Sequence, residues 1–102
     1  MASITILYPS GYDFNLKYYL ETHMPLAERT WKPHGLQSWD ITKLATGEAF
    51  QIQAVLRFPS LALWDEVTKL ETSRAVFRDI PAFTSAQPLV LRGEAIASGK
   101  MA

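Results

Sequence analysis

The segment YYLETHMPLAERTW, residues 18–31, combines a histidine with aromatic residues in a helical pattern. Tyr19 and His23 are four residues apart, so they share one side of a helix, the side that also carries the apolar residues. Pro25 lacks an amide donor and disturbs the helix just beyond, which leaves space for a cavity beside the imidazole. A neutral imidazole in such a place can take a proton from a phenol or a carbon acid. We therefore take His23 as the candidate catalytic acid or base and Tyr19 as a hydrogen-bond donor beside it.

The same residues also have a purely structural interpretation. A histidine on an apolar face is commonly a packed core residue with one hydrogen bond, and buried without a partner it would stay neutral at neutral pH. Tyr18 and Tyr19 point about 100° apart on a helix. We therefore expect Tyr18 to cover a helix edge or an interface.

A second candidate region is DIPAFTSAQP, residues 79–88, a loop that follows a helical pattern. Phe83 is expected to point inward from this loop. Asp79 could orient His23 or a substrate, as carboxylates orient catalytic imidazoles. An aspartate at this position more often caps the following turn, and we favour the cap. The candidate substrate-binding residues are Trp31, Phe58, Phe83 and Asp79.

The elements that must position these residues follow from the patterns around them. Residues 3–8 alternate as a strand, Asp13 is a suitable N-cap for the first helix, and the helix should kink or restart at Pro25. Two strands joined at ATGE follow, then a helix capped by Ser60, a helical segment closed by Pro81 and a last strand within PLVLRGEAIA. This order predicts an α+β ferredoxin-like fold, βαββαβ, with both helices on one face of an antiparallel sheet.

The opposite face of such a sheet is open. We expect it to carry Val55, Val90, Ile96, Gln53, Arg57, Arg92 and Glu94. This mixture is too apolar for a free surface, and pairing two sheets about a two-fold axis would cover it. The sequence therefore predicts a homodimer that forms a dimeric α+β barrel.

Composition and charge exclude several classes of protein. The length of 102 residues fits one domain, here residues 1–98 with a loose tail at 99–102. Ten basic and ten acidic residues give no net charge, so nucleic acid is not an expected partner. Cysteine is absent, and two histidines without a carboxylate at ligand-like spacing make a poor metal site. No segment reads as a signal or membrane span, so we expect a cytoplasmic protein without membrane contact.

The block YPSGYDFNLKYYLETHMPLAERTW resembles the EthD family, which is named for ethyl tert-butyl ether degradation. The resemblance rests on Tyr8, Pro9, Phe14, Tyr18, Tyr19, His23, Pro25 and Leu26, and in the later loop on Asp79, Phe83, Thr84 and Pro88. It spans nearly the whole chain and implies a dimeric α+β barrel. It implies less about activity, because relatives with this superfold include cofactor-free monooxygenases, polyketide cyclases, lactone isomerases and haem-degrading enzymes.

Three hypotheses about function follow. The first is a cofactor-independent enzyme, of monooxygenase, cyclase or isomerase type, that acts on a small apolar aromatic or lactone-like substrate with His23 as acid or base. The second is a non-catalytic binding or accessory protein of a degradation pathway that uses the same cavity. The third is haem binding through His23. Whether the chain is an enzyme stays open at this point.

Overall fold

A computed structural model of the chain covers residues 1–102 and contains a four-stranded sheet with helices packed against one face. The strands are β1 (Ala2–Pro9), β2 (Ser38–Lys43), β3 (Phe50–Phe58) and β4 (Leu89–Glu94). Their order is β2-β3-β1-β4, and every neighbouring pair is antiparallel. The ferredoxin-like α+β prediction is therefore confirmed.

The helical segments lie between the strands as the patterns predicted. They are α1 (Leu16–Tyr18), a π-helical turn (Tyr19–His23), α2 (Met24–Trp31), a 3₁₀ turn (Lys32–His34), α3 (Leu61–Thr68), α4 (Ser73–Arg78) and a second 3₁₀ turn (Ile80–Ala82). None of them is long and apolar enough to cross a membrane.

The cap of α3 is confirmed and that of α1 was wrong. The hydroxyl oxygen of Ser60 accepts a hydrogen bond from a backbone N–H in the first turn of α3. At α1 the side chain of Asn15 accepts from the Tyr18 N–H at 3.0 Å. The Asp13 carboxylate accepts instead from the backbone N–H and hydroxyl of Ser85. Asp13 therefore ties the start of the helix to a loop far along the chain.

Pro25 interrupts the helix at the predicted place and in a specific way. Because proline has no amide hydrogen, the Glu21 carbonyl receives no bond from it. In the π turn the N–H of Met24 donates to the carbonyl of Tyr19, five residues earlier. The α-helix then restarts with Pro25 in its first turn. The predicted restart is confirmed, and it takes the form of a widened turn.

The register of β4 contradicts the predicted composition of the open face. In the β1–β4 ladder Ile4 pairs with Arg92 and Ile6 with Val90. Ile4 is fully buried under the helices, and paired residues share a face. Val90, Arg92 and Glu94 therefore lie on the helix side. Alternation in the sequence predicts that β4 is a strand. It does not predict which set of its side chains faces the helices, because both sets include apolar residues.

The open face carries more apolar surface than predicted. Leu89 pairs with Leu7 and Leu91 with Thr5, which also pairs with Val55 on the other side. Leu89 and Leu91 are 47% and 49% exposed. A contiguous apolar surface of this kind is typical of a protein–protein interface, whereas Ile96, beyond the end of β4, is not part of it.

A lysine among the apolar residues of β4 on this face should prevent its pairing with a second copy. We expect Leu91→Lys to be a monomer by light scattering at micromolar concentration, because pairing would bury an unpartnered ammonium group. Leu20, which is 42% exposed on the helix layer, offers the matched control, and Leu20→Lys should stay dimeric. A monomeric wild-type protein would show that the open face has another role.

Candidate functional site

A cavity of about 40 Å³ lies between the helices and the sheet. Its lining is apolar except for the hydroxyls of Tyr8 and Tyr19 and the imidazole of His23, and it includes Trp31. The structure thus brings three of the sequence-predicted residues together. Tyr8 was missed, although alternation places it on the helix-facing side of β1, at the end nearest the first helix.

Asp79 holds the imidazole from the far side. His23 Nδ1 lies 2.9 Å from Asp79 Oδ2, and the Tyr18 hydroxyl donates to Asp79 Oδ1 at 2.7 Å. A carboxylate accepts only, so the imidazole proton is on Nδ1 and Nε2 is free as an acceptor. Nε2 has no partner in the chain and keeps some accessible surface, and His23 is one of the residues that line the cavity. This arrangement orients a base.

The structure corrects the role predicted for Asp79 and adds a contact to the one predicted for Tyr18. The side chain of Asp79 makes no capping bond to the turn that follows it, so the favoured cap was wrong. Its hydrogen bond to His23 is the orienting role that was also considered. Tyr18 lies at the helix edge as expected, but its hydroxyl is fixed on the same carboxylate.

Burial controls the protonation of the polar groups. Desolvation lowers the pKa of His23 below its ordinary value of 6.5, against the opposite effect of the Asp79 hydrogen bond and charge. The imidazole is therefore neutral at neutral pH. Burial also raises the pKa of both Tyr8 and Tyr19 above 10. The cavity accordingly holds protonated phenols beside an unprotonated imidazole nitrogen.

Phe83 closes the other side of the imidazole. Its ring centroid is 4.6 Å from that of His23 and 4.9 Å from that of Tyr19. It points inward as predicted but packs behind the imidazole and does not line the cavity. The hydroxyl of Thr84 donates to the carbonyl of Asp13 at 2.7 Å, which fixes this loop against the start of the helix.

Of the two predicted wall residues Trp31 and Phe58, only Trp31 lies at the cavity. Trp31 borders the cavity, and its indole N–H donates to the Ser73 hydroxyl at 2.8 Å. Phe58 is fully buried against Trp64, with 5.3 Å between ring centroids, and does not border the cavity. The structure therefore brings Trp31 to the site and leaves Phe58 in the core.

An outer groove continues the cavity toward the surface. Its volume is about 420 Å³, and it shares four lining residues with the cavity, namely Phe77, Ile80, Pro88 and Val90. A cavity of about 150 Å³ is needed for a benzene ring, and ligand sites commonly have about 300–1,000 Å³. A ring-sized ligand would therefore occupy the groove and displace the shared side chains to reach His23.

No protein-family model matches the chain, and no curated protein matches its sequence. Solved structures share its fold. An EthD-like protein from Ralstonia eutropha JMP134 superposes with a TM-score of 0.81 and 19% identity, over 96% of this chain and 94% of that one. An ethyl tert-butyl ether (EthD) family protein from Bacillus halodurans C-125 gives a TM-score of 0.75 and 16% identity, over 94% and 99%. A dimeric ferredoxin-like protein from an uncultured marine organism gives 0.67 and 14%, over 99% and 100%.

The chain has the fold of the dimeric ferredoxin-like α+β proteins, and among these it is similar to EthD-like proteins. The resemblance to the EthD family is thus confirmed at the level of the fold. At these identities the likeness carries no information on the reaction, which has to be argued from the site itself.

Removing the Asp79 charge should change the titration of His23. In Asp79→Asn the charge that favours the imidazolium is lost, so the pKa of His23 should fall further below 6.5. The measurement is an NMR titration of the histidine ring signals, with the exposed His34 as internal control. An unchanged or raised pKa of His23 would contradict the pairing.

The lowered pKa of His23 also predicts a pH dependence of stability. The unfolded chain takes up a proton at this residue below about pH 6.5, whereas the folded chain does so only at lower pH. Stability is therefore lost as pH falls through that window and is unaffected above it. Between about pH 7.5 and 5.5 the melting temperature should fall less in His23→Asn than in the wild type. Equal slopes would count against a buried neutral imidazole.

Proposed function

We propose that this chain is an EthD-like enzyme that needs no cofactor and acts on a small apolar, aromatic or lactone-like molecule. The observation that carries the proposal is the His23–Asp79 pair on the wall of an otherwise apolar cavity. Apolar walls with a few convergent polar groups are typical of small-molecule sites. An imidazole oriented by a carboxylate is typical of acid–base catalysis.

The chemistry assigned to the site is proton transfer. Nε2 of His23 accepts a proton from a hydroxyl group or an activated carbon of the substrate, while Asp79 stabilises the imidazolium that forms. Tyr19, stacked on His23 with 5.4 Å between ring centroids, is the hydrogen-bond donor for the substrate. Deprotonation is a first step that isomerase, cyclase and cofactor-free monooxygenase reactions can share, and the substrate determines which reaction follows.

A binding or accessory role in a degradation pathway is the second candidate. It would use the same cavity and groove without turnover, and the almost wholly apolar lining favours it, because such a lining binds an apolar ligand without any chemistry at His23. Haem binding through His23 has less support, because about 40 Å³ beside Nε2 is far too small for a porphyrin. We propose no reaction step through haem.

We also propose a homodimer in which the open faces of two sheets pair through Leu89 and Leu91. Solved structures of this fold include proteins described as dimeric. The exposed apolar side chains on the β4 side of the face give such pairing its driving force. A cytoplasmic location is proposed with it, since a chain without cysteine fits a reducing compartment.

A ligand of the proposed class should raise the melting temperature. We expect hits from a thermal-shift panel of hydroxylated aromatics, quinones and lactones, because a molecule that binds only the folded state stabilises it. In His23→Ala the hit should still bind while turnover is lost, and His34→Ala should behave as the wild type.

The other outcomes distinguish the candidates. Binding without turnover in the wild type would identify an accessory protein. A Soret band on haem addition that is absent in His23→Ala would identify a haem protein. A panel without any hit would contradict a site for small apolar molecules.

A further inference from the structure

Two tyrosines lie side by side on the cavity wall with unused hydrogen-bonding capacity. Tyr8 and Tyr19 are each 1% exposed, and their ring centroids are 5.8 Å apart. Neither hydroxyl makes a hydrogen bond to another group of the chain, and each oxygen keeps some accessible surface. The pair therefore has an O–H group free to donate into the cavity that both tyrosines line. A buried hydroxyl normally has a partner, so this free donor points to a ligand oxygen.

A free acceptor lies next to this donor. The His23 ring is stacked on Tyr19 with an angle of 15° between the two planes, and its Nε2 has no partner in the chain. The remaining lining of the cavity is apolar. The cavity therefore offers one hydrogen-bond donor and one proton acceptor on adjacent rings, and nothing else polar.

We propose that the site takes an enolisable carbonyl compound whose carbonyl oxygen accepts a hydrogen bond from the Tyr8–Tyr19 hydroxyl pair. This inference rests on the proposed function and deepens it by naming the substrate class. In the bound compound the carbon next to the carbonyl faces Nε2 of His23. Tyr8, which contacts the substrate oxygen, is a catalytic residue.

The step is balanced within the site. The C–H bond next to the carbonyl breaks, its proton goes to Nε2, and its electron pair forms a carbon–carbon double bond. The π electrons of the carbonyl move to the oxygen, where the phenol O–H stabilises the enolate. Return of the proton from the imidazolium, to the same or a conjugated carbon, gives exchange or isomerisation. No oxidant or reductant is required.

The dimensions of the site limit how such a compound can bind. The cavity of about 40 Å³ has room for the carbonyl end, and the groove of about 420 Å³ has room for a ring. Phe77 and Val90 line both spaces. The favoured substrate is therefore an apolar ring compound that inserts its carbonyl end between these side chains.

Binding of an enolate mimic tests the oxygen site directly. Calorimetry with 2-naphthol and naphthalene should show that the wild type binds 2-naphthol about tenfold tighter, the size expected for one hydrogen bond to a buried donor. In Tyr8→Phe the preference should disappear while naphthalene binds as before. Tyr12→Phe, which removes a hydroxyl from a tyrosine that is 52% exposed, is the matched control.

Proton exchange tests the reaction. The hydrogens next to the carbonyl of 2-tetralone should exchange in D₂O faster with the wild type than in buffer, as followed by NMR. Exchange should fall about 100-fold in Tyr8→Phe and to the buffer rate in His23→Ala. If Tyr8→Phe does not fold, Tyr19→Phe removes the other hydroxyl of the pair and should reduce both readouts.

Failure of the carbonyl site and failure of the proposed function would give different results. Equal binding of 2-naphthol and naphthalene to the wild type, or exchange at the buffer rate, would overturn the carbonyl site and leave an apolar ligand site standing. Binding of neither probe would overturn this inference and would also count against the proposed function.

Discussion

The carboxylate of Asp79 fixes the geometry on which the site depends. It accepts hydrogen bonds from Tyr18 and His23, which are five residues apart in one helical stretch. In a regular α-helix such residues would point about 140° apart. The π turn that precedes Pro25 brings them to the same side. The proline therefore determines a helix geometry that lets one carboxylate orient the imidazole and anchor the end of α4.

The hydrogen bond to Asp79 also determines the state in which the His23 imidazole is buried. Desolvation alone would keep the imidazole neutral without fixing its tautomer. The Asp79 carboxylate fixes the proton on Nδ1, while Tyr19 and Phe83 pack on the ring. The result is a neutral base with one free nitrogen. Side chains held by packing and by hydrogen bonds outside the reacting atoms are what a preorganised site requires.

Local patterns predicted most of the fold but only part of the site. The strand and helix periods, the Ser60 cap and the interruption at Pro25 are local, and they could be predicted from sequence. The His23–Asp79 pair joins residues 56 positions apart, and an aspartate before a turn has a more common local role. Which side chains of β4 face the helices depends on the register of β4 with β1, and this register is not encoded locally. From the sequence Tyr8 is an ordinary strand residue, and only the cavity beside it in the structure makes it a site residue.

The position of β4 connects the open face to the cavity. As an edge strand it pairs only with β1, and the Arg92–Asp65 ion pair ties its helix side to α3. Leu89 and Leu91 lie on the open face, whereas Val90 between them lines the cavity. Contacts that bury the two leucines would restrain the strand and hence that wall of the cavity. An interface on the open face and this wall of the cavity would therefore share one strand of six residues.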